Sequence, residues 1–376
     1  MGKNIVIIEN HIISTNTVRQ NLTQELIAQG YQVTILSTGS EKELAFARRK
    51  GFNVVDVGTS NTKLLDVLRY ARNLYRAIKA AKADVCLTFT IRPAIWGNIV
   101  TRLLRIPTIT NITGIGPLAE SNSFIYKIAR TLYRFVLKKT ALVFFQNKDD
   151  LRVFLSLNFV QPHQTQIIPG SGVDYEYFKP IPRTGKEEGF VFLFIGRLIK
   201  DKGILEYVEA AKSLKEDYPQ MSCKILGPYY SQNLKENTIT EKQIVQWLDD
   251  GIVNHLGAAD DVRPFIAEAD CIVLPSYREG MSNVLLEAGS MQKPCIASDT
   301  TGCNDIIIDQ YNGYLCKVKD ATDLALKMQQ MMGLTEEQRT QMGIHARERV
   351  IQHFAKKIVV DAYLKAISTL LEVSNK

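Results

Sequence analysis

The sequence predicts an α/β protein built from two Rossmann-like domains, and three observations carry that prediction. A chain of 376 residues with 45% hydrophobic content is long enough to bury two sizeable cores. Near its start, residues 3–8 form an apolar run, 18–29 an amphipathic helical period closed by Gly30, and 31–37 a second apolar run. Strand, helix and strand at that spacing make half of an open sheet that takes ligands beyond the carboxyl ends of its strands. The pattern restarts at residues 190–195, after a Gly/Pro-rich segment without periodicity (PGSGVDYEYFKPIP, 169–182) that has the makeup of a domain linker.

Composition narrows the setting. The six cysteines (Cys86, Cys223, Cys271, Cys295, Cys303, Cys316) show no CxxC pairing and several lie in apolar runs, which fits a reducing, cytoplasmic compartment. The first apolar run is too short for a signal sequence, and no stretch approaches the length of a membrane span. Val6 stands where a myristoylated Met-Gly start needs Ser or Thr. The net charge of +7 is unevenly spread: residues 1–184 carry +12 and the remainder −5. A basic half beside an acidic half points to an anionic partner on one side, and nucleic acid or an anionic membrane surface would each meet that description.

In the first half, the loop after the first strand reads HIISTNTV (11–18), without the glycines that would cradle a phosphate. Arg19 opens the helix beside the strand end, where it either reaches a ligand or stays a solvated helix charge. Residues 84–89 form the next strand and run into TFTIRPAIWGN (88–98), which holds Arg92; a strand at 108–112 then runs into TGIG (113–116), with Thr113 and Gly114. Gly114, Gly116 and Ala119 match the GxGxxG/A dinucleotide fingerprint, yet no acidic residue for a ribose stands between Glu120 and Asp149. A dehydrogenase is therefore kept only as an alternative. In FIYKIARTLYRFVLKK (124–139), Lys127, Arg130, Arg134 and Lys138 recur every three or four residues, with Ile128, Leu132 and Phe135 beside them. That stripe suits a helix lying on anionic lipid and equally suits a solvated face.

A strand at 141–146 follows, and in the second half the strand ends carry candidate ligand groups. Gly196 and Arg197 end the strand 190–195, and Lys202 with Gly203 precedes a helix that begins near Ile204. A guanidinium fork and an ammonium point charge at a sheet's carboxyl edge can neutralise a diphosphate, and a solvated loop would carry the same two residues. The strands 222–226 and 253–256 end in Gly227 and Gly257, where backbone either approaches a flat base or simply turns. Residues 269–308 read as a strand (271–274), a turn carrying Glu279 and Gly280, a helix opening near Ser282, and another strand (294–297). Glu279 lies just ahead of that helix and Glu287 about one turn inside it, so both carboxylates can border one cleft; equally, the same pattern makes Ser282 only an N-cap, Glu279 a solvated charge and Glu287 a surface residue. The amides of Met281, Ser282 and Asn283 at the helix start suit a phosphate. Carboxylates beside a phosphate site fit a ligand with both hydroxyls and phosphates, such as a nucleotide sugar. The sequence has no DxD and no His/Asp cluster that would hold a metal, so neither metal nor cofactor is expected.

Glu279 and Glu287, separated by seven residues, resemble the signature of the family 4 glycosyltransferases. The likeness extends through GSGVD (170–174), LGAADDVRPFIAEAD (256–270) and DQYNGYLCKV (309–318). TFTIRP and TGIG resemble a subgroup of bacterial surface-polysaccharide enzymes that includes hexosamine transferases acting on lipid diphosphate carriers. The resemblance implies the GT-B fold, two Rossmann-like domains facing across a cleft, at about 1–170 and 171–352. It also implies that the helical region 347–369 crosses back, with about 353–376 packing on the first domain. By the same resemblance the chain is a retaining enzyme moving a hexose or N-acetylhexosamine from a UDP-sugar to a polyprenyl-diphosphate-linked glycan at the inner face of the plasma membrane. Arg197 and Lys202 would stabilise the departing diphosphate, Glu279 the donor sugar or an oxocarbenium-like centre, and Glu287 the ribose hydroxyls. Gly196, Gly227, Gly257 and the Met281, Ser282 and Asn283 amides would line the nucleotide; Arg19, Arg92, Thr113 and Gly114 are the acceptor-side candidates. Two departures stand out: no histidine between His11 and His163 matches the one that many relatives place near the donor sugar, and Asp305 stands where relatives usually have glutamate.

Other classes stay open. A hydrolase needs two carboxylates about 5 to 10 Å apart and has no use for Arg197 and Lys202. A GT-B epimerase would share the fold but not the need for an acceptor. A binding module would hold ligand without turnover, and an RNA binder would expose aromatic stacking motifs that the sequence lacks, so nucleic acid is set aside.

Overall fold

The computed structural model describes residues 3–58, 64–115, 124–185, 189–229 and 238–374. The chain divides into two compact units, Met1–Ser171 with Lys356–Lys376, and Gly172–Ala355. Each is a parallel sheet covered by helices.

Among its described residues the first unit has strands β1 (Asn4–Ile8), β2 (Gln32–Ser37), β3 (Asn53–Asp56), β4 (Val85–Phe89), β5 (Thr108–Ile112), β6 (Leu142–Phe145) and β7 (Thr165–Ile167), in the order β3-β2-β1-β4-β5-β6-β7. All neighbours are parallel. The order reverses between β1 and β4, which is where an open α/β sheet takes its ligand. The strands β4 and β5 are buried along their whole length, as central strands of a parallel sheet covered on both faces are. The Gly/Pro-rich segment 169–182 contains the boundary between the units, at Ser171 and Gly172.

One helical expectation in this unit needs correction. The helix expected over 18–29 begins at Gln20, as Gln20–Ala28, behind a separate turn at Ile13–Asn16. Arg19 leaves helical geometry, with φ −107° and ψ 1°, because its side chain turns back to a buried partner described below. The terminal region 347–369 is helical and falls into two helices. Glu336–Phe354 and Lys356–Ser374 are separated by Ala355, whose extended backbone bridges to Val173. The second of these helices belongs to the first unit, where Tyr363 is buried edge-on to Phe144, with ring centroids 4.8 Å apart.

The second unit repeats the plan with β8 (Val191–Ile195), β9 (Ser222–Leu226), β10 (Asn254–His255), β11 (Cys271–Leu274), β12 (Cys295–Ser298) and β13 (Gly313–Cys316). Their order is β10-β9-β8-β11-β12-β13, reversing between β8 and β11. Tyr207, on the helix Ile204–Leu214, is fully buried and donates to the carbonyl of Phe192 at 3.0 Å, so an aromatic ring in the core loses no hydrogen bond. All six cysteines are buried and free. Burial pushes the Cys223, Cys295 and Cys316 thiols up to about 12. Among the described residues no helix is long and apolar enough to cross a membrane.

Candidate active site

In the second unit, three loops meet at the carboxyl edge where the strand order reverses. The loop after β8 carries Gly196, Arg197 and Lys202, the loop after β11 carries Ser276, Tyr277 and Glu279, and the loop after β12 carries Thr300–Gly302. They are fastened backbone to backbone: Tyr277 N–H donates to the Asp201 carbonyl at 2.8 Å and Glu279 N–H to the Thr301 carbonyl at 3.1 Å. The Tyr277 hydroxyl donates to Glu206 at 2.8 Å. Gly302 has to be glycine, because its φ is +78° and a Cβ there would stand 2.6 Å from the Glu279 carbonyl oxygen. Gly203 turns the chain into the helix Ile204–Leu214 in the same way, at φ +72°.

The chemistry centres on Lys202 and Glu279. The Lys202 ammonium is hydrogen-bonded to Glu279 Oε1, which also accepts the Ser276 hydroxyl at 2.7 Å. Their side chains are 20% and 12% exposed, so the pair is largely but not wholly shielded from water. The sequence reading gave Lys202 to a diphosphate and Glu279 to a sugar; the structure brings the two into direct contact, and so one charge offsets the other. Arg197, one residue past Gly196, is exposed at the same edge.

The helix Asn283–Ser290 starts at Ser282, whose side chain accepts the Leu285 N–H at 3.3 Å as its cap. The expectation that the amides of Met281, Ser282 and Asn283 would all face a phosphate requires correction. Ser282 N–H is already donated to the Gly302 carbonyl at 3.3 Å, because the loop after β12 crosses over the helix start. Glu287 lies one turn inside the helix and is half-buried. Gly227 N–H donates to the Gly257 carbonyl at 2.8 Å, and a Cβ on Gly227 would come 1.8 Å from the Gly196 carbonyl oxygen. These glycines therefore stack one strand end on the next, and the Gly227 amide is spent within the protein. Asp305 accepts the Gly302 N–H at 3.2 Å, a short carboxylate bracing the loop that covers Glu279.

The first unit has a different centre, and the sequence reading missed it. Glu9 follows β1 and is 1% exposed; Arg19 donates to it at 3.1 Å and lies over the Phe89 ring at 4.1 Å. Thr15 supplies its amide at 3.2 Å and its hydroxyl to the same carboxylate. Burial raises the Glu9 carboxyl above its ordinary value, against the pull of Arg19. Arg19 is thus not a solvated helix charge: its guanidinium is buried between Glu9 and the Phe89 ring. The signal was present: an acidic residue directly after an apolar strand, with an arginine ten positions on. Beside the pair, a cavity of about 20 Å³ is lined by Arg19, Phe89, Asn111 and Tyr363. Asn111 donates to the Tyr363 hydroxyl at 2.7 Å, while its Oδ1 has no partner.

At the carboxyl ends of β4 and β5 stand Arg92, exposed ahead of a π-helical turn (Pro93–Gly97), and the half-buried Thr113 and Gly114. Gly116 and Ala119 lie outside the described residues, so the fingerprint match is not described further. The basic stripe falls on the helix Phe124–Leu137. Arg134 is exposed, Arg130 half-buried, and Lys138 lies just past the helix end; the Lys127 and Ile128 side chains are outside the described residues. Phe135 is 62% exposed, with the Arg102 guanidinium 4.9 Å from its ring centroid.

Comparison with known proteins adds to this geometry. The family profile of glycosyl transferases group 1 matches residues 179–349, and that of the glycosyl transferase 4-like domain matches residues 15–170. A UDP-Gal:alpha-D-GlcNAc-diphosphoundecaprenol alpha-1,3-galactosyltransferase of Escherichia coli is 29% identical over 273 residues, covering 69% of each chain. An N,N'-diacetylbacillosaminyl-diphospho-undecaprenol alpha-1,3-N-acetylgalactosaminyltransferase of Campylobacter jejuni is 26% identical, over 76% of this chain and 75% of that one. Among solved structures, HepE of Anabaena in complex with UDP and glucose superposes with a TM-score of 0.80 at 18% identity, covering 97% of this chain and 99% of that chain.

Proposed function

The chain belongs to the glycosyltransferases, a 4-like domain followed by a group 1 domain in the GT-B fold, and from that premise we propose that it moves a hexose or N-acetylhexosamine from a UDP-sugar to a polyprenyl-diphosphate-linked glycan, with retention at the transferred carbon. The lipid-linked acceptor is supported by the two bacterial relatives, whose names specify diphosphoundecaprenol acceptors. The UDP donor is supported by the complex of HepE with UDP and glucose, and by the strand-order reversal at the carboxyl edge of the second unit.

The observation that carries this reading is the Lys202–Glu279 pair at the strand-order reversal, with Arg197 on the same edge. A departing diphosphate gathers negative charge in the transition state, and fixed cations aimed at it supply the largest stabilisation. In this reading Lys202 shares its protons between Glu279 and the leaving phosphate, and Arg197 contributes the second cation. Glu279, held by Ser276, faces the hydroxyls of the donor sugar. Glu287 takes the ribose hydroxyls, while the Met281 and Asn283 amides remain for phosphate. Gly196, Gly227 and Gly257 give the base a flat floor. On the first unit, Arg92, Thr113 and Gly114 receive the acceptor, and Arg130, Arg134, Lys138 and the exposed Phe135 meet an anionic membrane surface at its cytoplasmic face. The transfer runs without a bound metal.

The test is to incubate the chain with a panel of UDP-sugars and a membrane lipid extract and to follow UDP release and lipid-linked product. UDP release that requires the extract supports transfer. Release without an acceptor, or a new UDP-sugar instead of a glycolipid, overturns it in favour of hydrolysis or epimerisation.

A further inference from the structure

Thr90 follows β4 at the point where the strand order of the first unit reverses. Its φ is +69°, in the left-handed region that a β-branched residue seldom enters. Its hydroxyl is buried and has no hydrogen-bond partner. By contrast, the buried side chains of Thr88, Asn98, Thr110 and Thr140 are paired. The Thr88 and Thr110 hydroxyls are 2.8 Å apart, Asn98 donates to Thr110 at 2.8 Å, and Thr140 donates to Asn98 at 2.8 Å. A strained backbone and an unfilled hydrogen bond both weaken folding, and glycine would occupy the same turn more cheaply. What threonine adds there is a hydroxyl.

The turn also decides where Arg92 is presented. Ala94 N–H donates to the Thr90 carbonyl at 3.0 Å, an α-helical bond that leads into the π-helical turn Pro93–Gly97. That turn is pressed against β4: a Cβ on Gly97 would stand 2.8 Å from the Thr88 methyl. Thr90 and Arg92 are therefore held together on one edge, and turns of this kind recur at functional sites.

We propose that Thr90 is an acceptor-binding residue, whose hydroxyl donates to an oxygen of the acceptor's diphosphate beside the Arg92 guanidinium. The residue is only half-buried, so a rotation about its Cα–Cβ bond turns the hydroxyl outward as the acceptor enters. The proposal rests on the lipid-diphosphate acceptor argued above, and the left-handed turn is the cost of aiming both groups at it.

The experiment compares Thr90→Val, Thr90→Ser and Thr90→Gly in the full chain. The acceptor is a short-chain polyprenyl diphosphate carrying N-acetylhexosamine, and the donor is the UDP-sugar found by the panel. Valine keeps the shape and removes the hydroxyl, so the acceptor KM rises about tenfold or more while the donor KM stays within about twofold. Serine keeps the hydroxyl and holds the acceptor KM within about threefold of the parent. Glycine relieves the backbone, so the melting temperature rises while the acceptor KM follows valine. An unchanged acceptor KM in Thr90→Val overturns the proposal. So does a Thr90→Val variant that loses stability and donor affinity together with Thr90→Ser, because that is a structural role. A parent chain that turns over no such acceptor removes the functional reading itself, and this proposal with it.

Discussion

Lys202 and Glu279, 77 residues apart in sequence, share a hydrogen bond at the carboxyl edge of the second unit, and each is the nearest counter-charge of the other. The pair ties the two candidate catalytic charges into one unit. Removing Lys202 leaves Glu279 shielded from water with only Ser276, whereas removing Glu279's charge leaves the Lys202 cation without its counter-charge. Lys202→Ala should lower kcat on the order of 100-fold, and Arg197→Ala comparably, with the fold retained. A Lys202→Ala/Glu279→Gln double variant should lose less than the product of the single losses, since residues in contact do not act independently. Near-normal rates in both Arg197→Ala and Lys202→Ala would rule out a diphosphate site here.

The two glutamates should separate in binding. Glu287→Gln is expected to weaken UDP itself, because the ribose is present in donor and product alike. Glu279→Gln should leave UDP affinity nearly unchanged and lower the rate, because its partner is the sugar or the charge formed on it. Calorimetric titration of UDP into both variants checks this, and equal losses would show the roles to be misassigned.

Glu9 and Arg19 make a stability prediction. Their side chains are 0% and 8% exposed, so Arg19→Met strands a buried carboxylate. Urea unfolding should show a loss of about 3–5 kcal/mol, with a smaller loss when Glu9→Gln is added. If Arg19→Met keeps the parent's stability but loses acceptor turnover, the residue contacts the acceptor after all.

The basic helix can be tested through lipid. Arg130, Arg134 and Lys138 should each contribute about 1 kcal/mol to sedimentation with anionic vesicles, and that part should fade as salt is raised. Phe135→Ser should remove a component that salt does not screen, since apolar insertion carries no charge. Replacing the three cations together with Lys127 by Gln should abolish vesicle binding and leave turnover of a short water-soluble acceptor intact. Unchanged sedimentation would make the stripe a solvated face.

How far the sequence spoke depends on the range of the physics involved. The strands 108–112 and 222–226 were legible to the residue, because each closes on a glycine turn, at TGIG and at Gly227. The helix at Ile204 was equally legible, since its boundary is a local matter of one glycine. The strands β3 and β7 were not found, being short and largely exposed at the sheet margins. At the candidate site the residue types were visible, but their pairing was not. Lys202 meeting Glu279, Ser282 giving its amide to Gly302, and Arg19 folding back on Glu9 are tertiary contacts, and no periodicity records them.

The distribution of the cysteines turns the protein into its own clock. Cys86 is the one cysteine of the first unit and the other five lie in the second, all of them inaccessible in the folded chain. A thiol-specific reagent can modify them only when the surrounding strands open, so the rate at which each is labelled reports the opening of its own unit. Mass spectrometry of the labelled peptides would then give two separate opening rates from one sample, and adding a UDP-sugar should slow the second without touching the first.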